Sequence, residues 1–114
     1  MIKLEYPFTF LNEWIKIERG NRYAAAKIKK DTTYAISLML NGQPKIPTPC
    51  GLIFIWTIPN KRRDLDNISF ATKFVLDGMV KAGVIENDNL KHITSLHHEF
   101  KIGDTVGVEI EVID

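Results

Sequence analysis

The chain is poor in cysteine and in long apolar runs, and both shortages limit what it can be. Cys50 is the only cysteine of the 114 residues, so no disulfide can form within the chain, and we expect a reducing, cytoplasmic setting. No apolar run approaches the roughly 20 residues that a membrane-spanning helix needs. The first ten residues, MIKLEYPFTF, lack the basic start and small-residue cleavage site of a secretory signal. We therefore expect a single domain over residues 1–114 that needs no disulfides.

The net charge of +1 hides an uneven distribution of charge along the chain. Residues 1–50 carry eight Lys/Arg against four Asp/Glu, whereas residues 51–114 carry seven against ten. The segment 16–30 contains six cations, namely Lys16, Arg19, Arg22, Lys27, Lys29 and Lys30. A basic segment combined with an acidic one favours a polyanionic partner and a bound cation. The alternative interpretation of the basic segment is a solvated helix face.

The hydrophobic pattern predicts the element order β-α-β-α-β-β, typical of an α+β domain with two main helices packed against a mixed sheet. Strands are predicted over residues 2–8, 52–58, 92–100 and 105–113, and helices over 11–40, interrupted at Gly20-Asn21, and 66–82. The strand 52–58 is apolar at nearly every position, which predicts that both of its faces are covered. The last strand alternates apolar and acidic residues, which predicts one buried face.

The predicted helix 66–82 separates apolar from charged residues. At about 100° per residue, one broad stripe is apolar and predicts the core face; its members are Ile68, Ala71, Phe74, Val75, Gly78, Met79 and Ala82. Asp66, Phe70, Lys73 and Asp77 fall on the opposite side, with Lys73 and Asp77 at i, i+4 spacing. An amphipathic helix with a surface ion pair would explain this edge without any further function.

The stretch NKRRDLDN (residues 60–67) adds a second pattern where the buried strand ends. Asp64 and Asp66 are two residues apart, so in an extended segment both carboxylates would lie on the same face. They could then converge on one hard cation such as Mg²⁺. The adjacent cations Lys61, Arg62 and Arg63 would neutralise a phosphate bound to that cation. A third acid, Asp88, follows the helix and is predicted to return to the strand end. Asp64 or Asp66 could instead serve as a helix cap.

The segment RRDLDNISFATKFVLDGMVKAGVIENDN (residues 62–89) resembles the core motif of the RusA family of Holliday-junction resolvases, which is common in phages and prophages. The motif combines Arg-Asp-x-Asp-Asn, a helix with a Lys four residues before an Asp, Lys-Ala-Gly, and an acidic turn. Asn67 follows the second Asp as in the family, whereas Asn87 stands where many members carry the first of two turn acids. The basic segment 11–30 resembles the DNA-facing region of phage-type members.

The resemblance implies a RusA-like α+β fold and a homodimeric, Mg²⁺-dependent endodeoxyribonuclease, with Mn²⁺ as a possible substitute for the metal. Such an enzyme cuts four-way DNA junctions symmetrically in recombination and repair, within the cytoplasm of a bacterial host cell. The resemblance assigns Asp64, Asp66 and Asp88 as catalytic, metal-binding carboxylates and Lys73 as a catalytic or phosphate-contacting lysine. The basic residues of 16–30 and 61–63 are then expected to contact DNA phosphates.

Two other functions stay open at this stage. The first is a non-catalytic DNA-binding module with a basic helical surface, whose acids serve only as caps and ion pairs. The second is a metal nuclease that acts on RNA, flaps or forks. We expect surface or interface positions for His92, His97 and His98, and core or interface positions for Trp14 and Trp56.

Overall fold

Four strands form one mixed sheet in this computed structural model, which describes residues 1–113. The strands are β1 (Ile2–Glu5), β2 (Cys50–Ile58), β3 (Ile93–Ile102) and β4 (Gly107–Ile113). Their order in the sheet is β1-β4-β2-β3. β2 pairs with β3 in parallel, whereas β4 is antiparallel to both β2 and β1. The predicted α+β class with a mixed sheet is confirmed.

Four helical segments accompany the sheet: α1 (Leu11–Gly20), α2 (Arg22–Met39), α3 (Leu65–Ser69) and α4 (Thr72–Lys81). The predicted interruption at Gly20-Asn21 is present because Asn21 is extended, with φ −161° and ψ 101°. Its side-chain oxygen accepts hydrogen bonds from the backbone N–H groups of Tyr23 and Ala24, so Asn21 caps the start of α2. Within residues 1–113, no helix is both long and apolar enough to cross a bilayer.

The central strand β2 is buried on one face only. Leu52, Phe54 and Trp56 are fully buried in a core that also contains residues from the helices. Ile53 and Ile55, on the opposite face, are half-buried. The prediction that both faces of this strand are covered is therefore wrong. The apolar run overstates the coverage because neither Ile53 nor Ile55 belongs to the hydrophobic core, and their cross-strand neighbours are polar: His97 and Glu111 for Ile53, Glu99 and Glu109 for Ile55.

The predicted helix 66–82 is divided into α3 and α4. Hydrogen bonds of the i to i−3 type span the junction, for example from Phe74 N–H to the Ala71 carbonyl oxygen at 3.1 Å, so a tight 3₁₀-type turn joins the helices. The predicted apolar stripe is buried from Ile68 to Met79. Phe70 is predicted on the opposite, charged side of the helix. It does not face solvent there, because its ring packs against that of Trp14, with 5.9 Å between the ring centres. Gly83 follows α4 with a φ of 76°, which favours glycine.

Candidate functional site

The two acids of the Asp-x-Asp sequence lie directly after β2, at the start of α3. Asp64 is extended, with φ −71° and ψ 151°, and occupies the N-cap position, but its side chain makes no capping hydrogen bond. Asp66 already belongs to the helix, so the pair is not the fully extended segment that the sequence predicts. Both side chains are exposed, and within residues 1–113 neither has a Lys or Arg nitrogen within 4.0 Å. Two carboxylates are thus available to a cation.

Asn67, next to these acids, is buried and holds the first helix in place. Its side-chain oxygen accepts a hydrogen bond of 2.8 Å from the backbone N–H of Asn12, near the start of α1. Phe10, the N-cap residue of α1, offers no side-chain acceptor, so Asn67 replaces a local cap from 55 residues away. Sequence reasoning noted Asn67 only as part of a motif. Its burial could have been suspected from its position on the same side of the helix as Ile68 and Ala71.

Lys73 forms the predicted i, i+4 ion pair with Asp77. Lys73 Nζ lies 3.1 Å from Asp77 Oδ1, and the lysine side chain is 56% exposed while the aspartate is 24% exposed. Lys73 belongs to α4, whereas Asp66 belongs to α3, on the other side of the turn between the two helices. The carboxylate of Asp77, one helical turn after Lys73, holds the ammonium group while leaving it open to solvent.

Asp88 lies at the other end of the sheet from Asp64 and Asp66. It stands in the turn before β3, where the carbonyl oxygen of the next residue, Asn89, accepts hydrogen bonds from the N–H groups of His92 and Ile93. The His92 carbonyl oxygen in turn accepts from Cys50 N–H at the start of β2, whereas Asp64 follows the end of that strand. At about 3.3 Å per residue, β2 itself is about 25 Å long, and the two acids belong to segments at its opposite ends.

A single chain therefore does not bring the third acid to the first two, contrary to the expectation that Asp88 returns to the same strand end. Within residues 1–113 no group of three or more His, Cys, Asp or Glu side chains is arranged to hold a metal ion. The physical reason is the parallel pairing of β2 and β3, because the connection between two parallel strands must cross the full length of the sheet. The assignment of the three residues as metal ligands stays a prediction.

The predicted DNA-contacting cations differ in their exposure and in whether they already form an ion pair. Arg63 is held by an ion pair of 2.7 Å with Glu13, and its guanidinium lies 5.0 Å from the centre of the Phe10 ring. This arrangement joins the loop after β2 to α1 and was not foreseen from the sequence. The other predicted cations are exposed: Lys16, Arg19, Arg22, Lys27, Lys29, Lys30, Lys61 and Arg62. Lys27 pairs with Asp31, whose hydrogen bond and charge raise the lysine pKa above its ordinary value.

His98 and both tryptophans have structural partners, whereas His97 is exposed. Trp56 is fully buried and donates its indole N–H to His98 Nδ1 at 3.1 Å, while the Trp14 ring packs beside those of Phe70 and Phe74. His98 is stacked on Trp56 and Phe54, and its burial, followed by the charge of His97, lowers its pKa. The prediction that both tryptophans lie in or against the core is confirmed.

Comparison with protein families matches most of the chain. The family model described as Endodeoxyribonuclease RusA matches residues 15–113, a range that includes α2, Asp64, Asp66, α4 and Asp88. Comparison with curated proteins and with solved structures gives no match. The matched family consists of endodeoxyribonucleases that resolve Holliday junctions. Because the match spans well over half of its length, this chain belongs to the RusA family of endodeoxyribonucleases.

Proposed function

We propose that this protein is a Mg²⁺-dependent endonuclease that resolves Holliday junctions by symmetric paired nicks, in DNA recombination and repair. Family membership supports the class of reaction. The observation that carries the rest is the pair Asp64 and Asp66, two exposed carboxylates without a cationic partner in residues 1–113, with the exposed cations Lys61 and Arg62 nearby. Carboxylates without a cationic partner, next to exposed Lys and Arg side chains, suit a site where a metal ion and a phosphate bind together.

The donor set fits Mg²⁺ better than softer metals. Mg²⁺ usually takes one or two protein carboxylates and completes its octahedral shell with water and phosphate oxygens, which Asp64 and Asp66 would allow. When bound there, the ion would activate a water, polarise the phosphoryl oxygen and stabilise the leaving oxygen. Lys73, kept in place by Asp77, would contact the phosphate, and the exposed cations of α1 and α2 would hold the flanking backbone.

Asp88 and Asp64 belong to segments at opposite ends of the parallel β2–β3 pair within one chain, so a second copy of the chain is the source from which Asp88 would join this site. We therefore extend the proposal to a homodimer in which Asp64 and Asp66 of each copy share a metal site with Asp88 of the other copy. A two-fold dimer makes two such sites, one for each strand to be cut. The same dependence on a second copy would link cleavage to dimer formation.

The first test is cleavage of a synthetic four-way DNA junction in Mg²⁺. Asp64→Asn and Asp66→Asn should bind the junction with unchanged or higher affinity and lose cleavage by about 10²-fold or more, since each removes a charge that the metal needs. Asp104→Asn is the matched control, because Asp104 is an exposed acid in the turn between β3 and β4. If the wild-type protein binds junctions but never nicks them in Mg²⁺ or Mn²⁺, the protein is a DNA-binding module.

The second test asks whether the two copies share each site. Asp64→Asn and Asp88→Asn chains with different tags are co-expressed, and the mixed dimer is purified through both tags. With shared sites, one site of the mixed dimer carries both substitutions and the other carries neither, so nicking returns in single rather than paired events. With sites built within one chain, each site carries one substitution and nicking stays absent. The second result would refute the shared site without affecting the proposed reaction.

A further inference from the structure

A groove of about 490 Å³ lies between α2 and α4, apart from the acids of α3. Its lining comes from six residues of α2, the first being Ala26 and the last Tyr34, and from Asp77 and Lys81 of α4. The helices also approach closely at Gly78, next to Asp77, where a Cβ would lie 2.5 Å from Ile36 Cγ2. Asp77, which borders the groove, also holds Lys73. The groove therefore borders the ion pair that holds Lys73, the lysine that the proposed function places at the phosphate.

The groove has an excess of positive charge that no carboxylate of the described residues neutralises. Its two acids are already paired: Asp31 binds Lys27 at 2.9 Å and Asp77 binds Lys73 at 3.1 Å, and neither of these lysines lines the groove. The three lysines that do line it have no carboxylate oxygen within 4.0 Å in residues 1–113; they are Lys29, Lys30 and Lys81. Three unpaired ammonium groups around one groove favour an anionic ligand.

An exposed aromatic ring accompanies these lysines. Tyr34 lines the groove and is 54% exposed, and Tyr23, three turns earlier on α2, is 76% exposed. Eleven residues at 100° each bring the two tyrosines within about 20° of one another around the helix, with Lys27 and Lys30 on the same face between them. Alternating rings and ammonium groups match unpaired nucleotides, because every base has a π-face and every nucleotide adds a phosphate. A double helix would leave the rings without a base face to stack on.

We propose that the groove between α2 and α4 binds unpaired nucleotides of a nucleic-acid strand. Lys29, Lys30 and Lys81 contact successive phosphates, and the Tyr34 ring stacks on a base. The inference rests on the proposed function in two respects. The proposed function identifies the bound strand as DNA, and it implies that this strand continues from the groove toward Lys73. It adds to that function a site for single-stranded segments that lies outside the metal site.

The test measures the binding of a short, fluorescently labelled oligothymidine by anisotropy, in EDTA so that no cleavage occurs. Tyr34→Ala should weaken binding by about 5- to 100-fold, the usual effect of losing one stacked base, whereas Tyr34→Phe keeps the ring and should bind as the wild type does. Lys81→Gln should reduce the slope of log affinity against log salt by about 0.7, as expected for one lost phosphate contact on a single strand. Lys45→Gln, an exposed lysine outside the groove, is the matched control and should leave that slope unchanged.

Three outcomes would overturn the inference. Tyr34→Ala could bind as tightly as Tyr34→Phe, Lys45→Gln could change the salt slope as much as Lys81→Gln, or polyglutamate could compete as well as unlabelled oligothymidine. The last result would make the groove a general polyanion surface. Failure of the groove is distinguishable from failure of the proposed function, because the anisotropy experiment contains no metal and the junction assay scores only nicks.

Discussion

Replacing Asn67 with alanine tests whether a residue of the acidic motif acts as a remote helix cap. Asn67 is only 4% exposed, and its side-chain oxygen lies 2.8 Å from the backbone nitrogen of Asn12. The N–H groups of the first helical turn have no acceptor within their own helix, and Phe10 supplies no side-chain oxygen at the start of α1. Asn67→Ala therefore removes an acceptor that nothing nearby replaces.

The expected loss in the free energy of unfolding follows from the type of contact that Asn67→Ala removes. Loss of an N-cap acceptor costs about 0.5–2 kcal/mol, and a buried donor left without a partner costs about 1–3 kcal/mol. Because Asn12 itself is exposed, water can reach part of the freed N–H group, so we expect a value near the overlap, about 1–2 kcal/mol. For a chain of this size, the melting temperature should fall by about 4 °C for each kcal/mol.

The measurement is urea-induced unfolding, supported by hydrogen exchange of the Asn12 amide. Asn60→Ala is the matched control, because the Asn60 oxygen accepts a hydrogen bond from Arg62 N–H within an exposed turn, where losses stay within about 0.5 kcal/mol. Asn67→Ala should lower the urea midpoint with little change in slope and should speed exchange at Asn12. If Asn67→Ala were no less stable than Asn60→Ala, and exchange at Asn12 were unchanged, the remote cap would be refuted.

Two further substitutions test the packing of the helices and of the sheet. Gly78→Ala gains about 1 kcal/mol of helix propensity, but its Cβ would lie 2.5 Å from Ile36 Cγ2, so we expect a net loss of about 1–2 kcal/mol in urea unfolding. Combining it with Ile36→Ala should cost less than the sum of the two single losses, and strict additivity would contradict the close contact. The folded protein lowers the pKa of His98, whose neutral ring accepts the hydrogen bond from the Trp56 N–H. The contribution of His98 to stability is therefore present above the ordinary histidine pKa of 6.5 and is lost as the pH falls toward the pKa of the folded state. His98→Asn keeps an acceptor without a titrating ring and should lose less stability than the wild type between about pH 7 and pH 5; an equal loss would contradict this role.

Much of the secondary structure could be predicted from the sequence because helix ends, turns and helical periodicity depend on residues that are close together in the chain. The turn residues Asn21 and Gly83 act where the sequence places them, one as the cap of α2 and the other as the end of α4. The apolar stripe from Ile68 to Met79 keeps its helical period even though a tight turn divides the helix. Such features depend on the preferences of short segments and need no knowledge of strand pairing.

The features that could not be predicted depend on contacts between distant segments. Nothing local indicates that Asn67 caps a helix that starts 55 residues earlier, or that Glu13 holds Arg63. The environment of Ile53 depends on which elements cover each face of the sheet, and a run of apolar letters does not contain that information. Phe70, assigned to the solvent side by its helical phase, is half-buried because α1 brings Trp14 against it.

The position of Asp88 has the same kind of cause, and it bears on the proposed metal site. In a strand-helix-strand unit with parallel strands, the residue that leaves the first strand and the residue that enters the second stand at opposite ends of the sheet. Asp64 leaves β2, Asp88 enters β3, and these two strands are parallel. The 23 residues between the two acids therefore cross the sheet from one end to the other and do not return to the end where Asp64 lies. Under the proposed function, this topology assigns Asp64 and Asp66 to one end of the β2–β3 pair and Asp88 to the other, so that a second chain would complete each metal site.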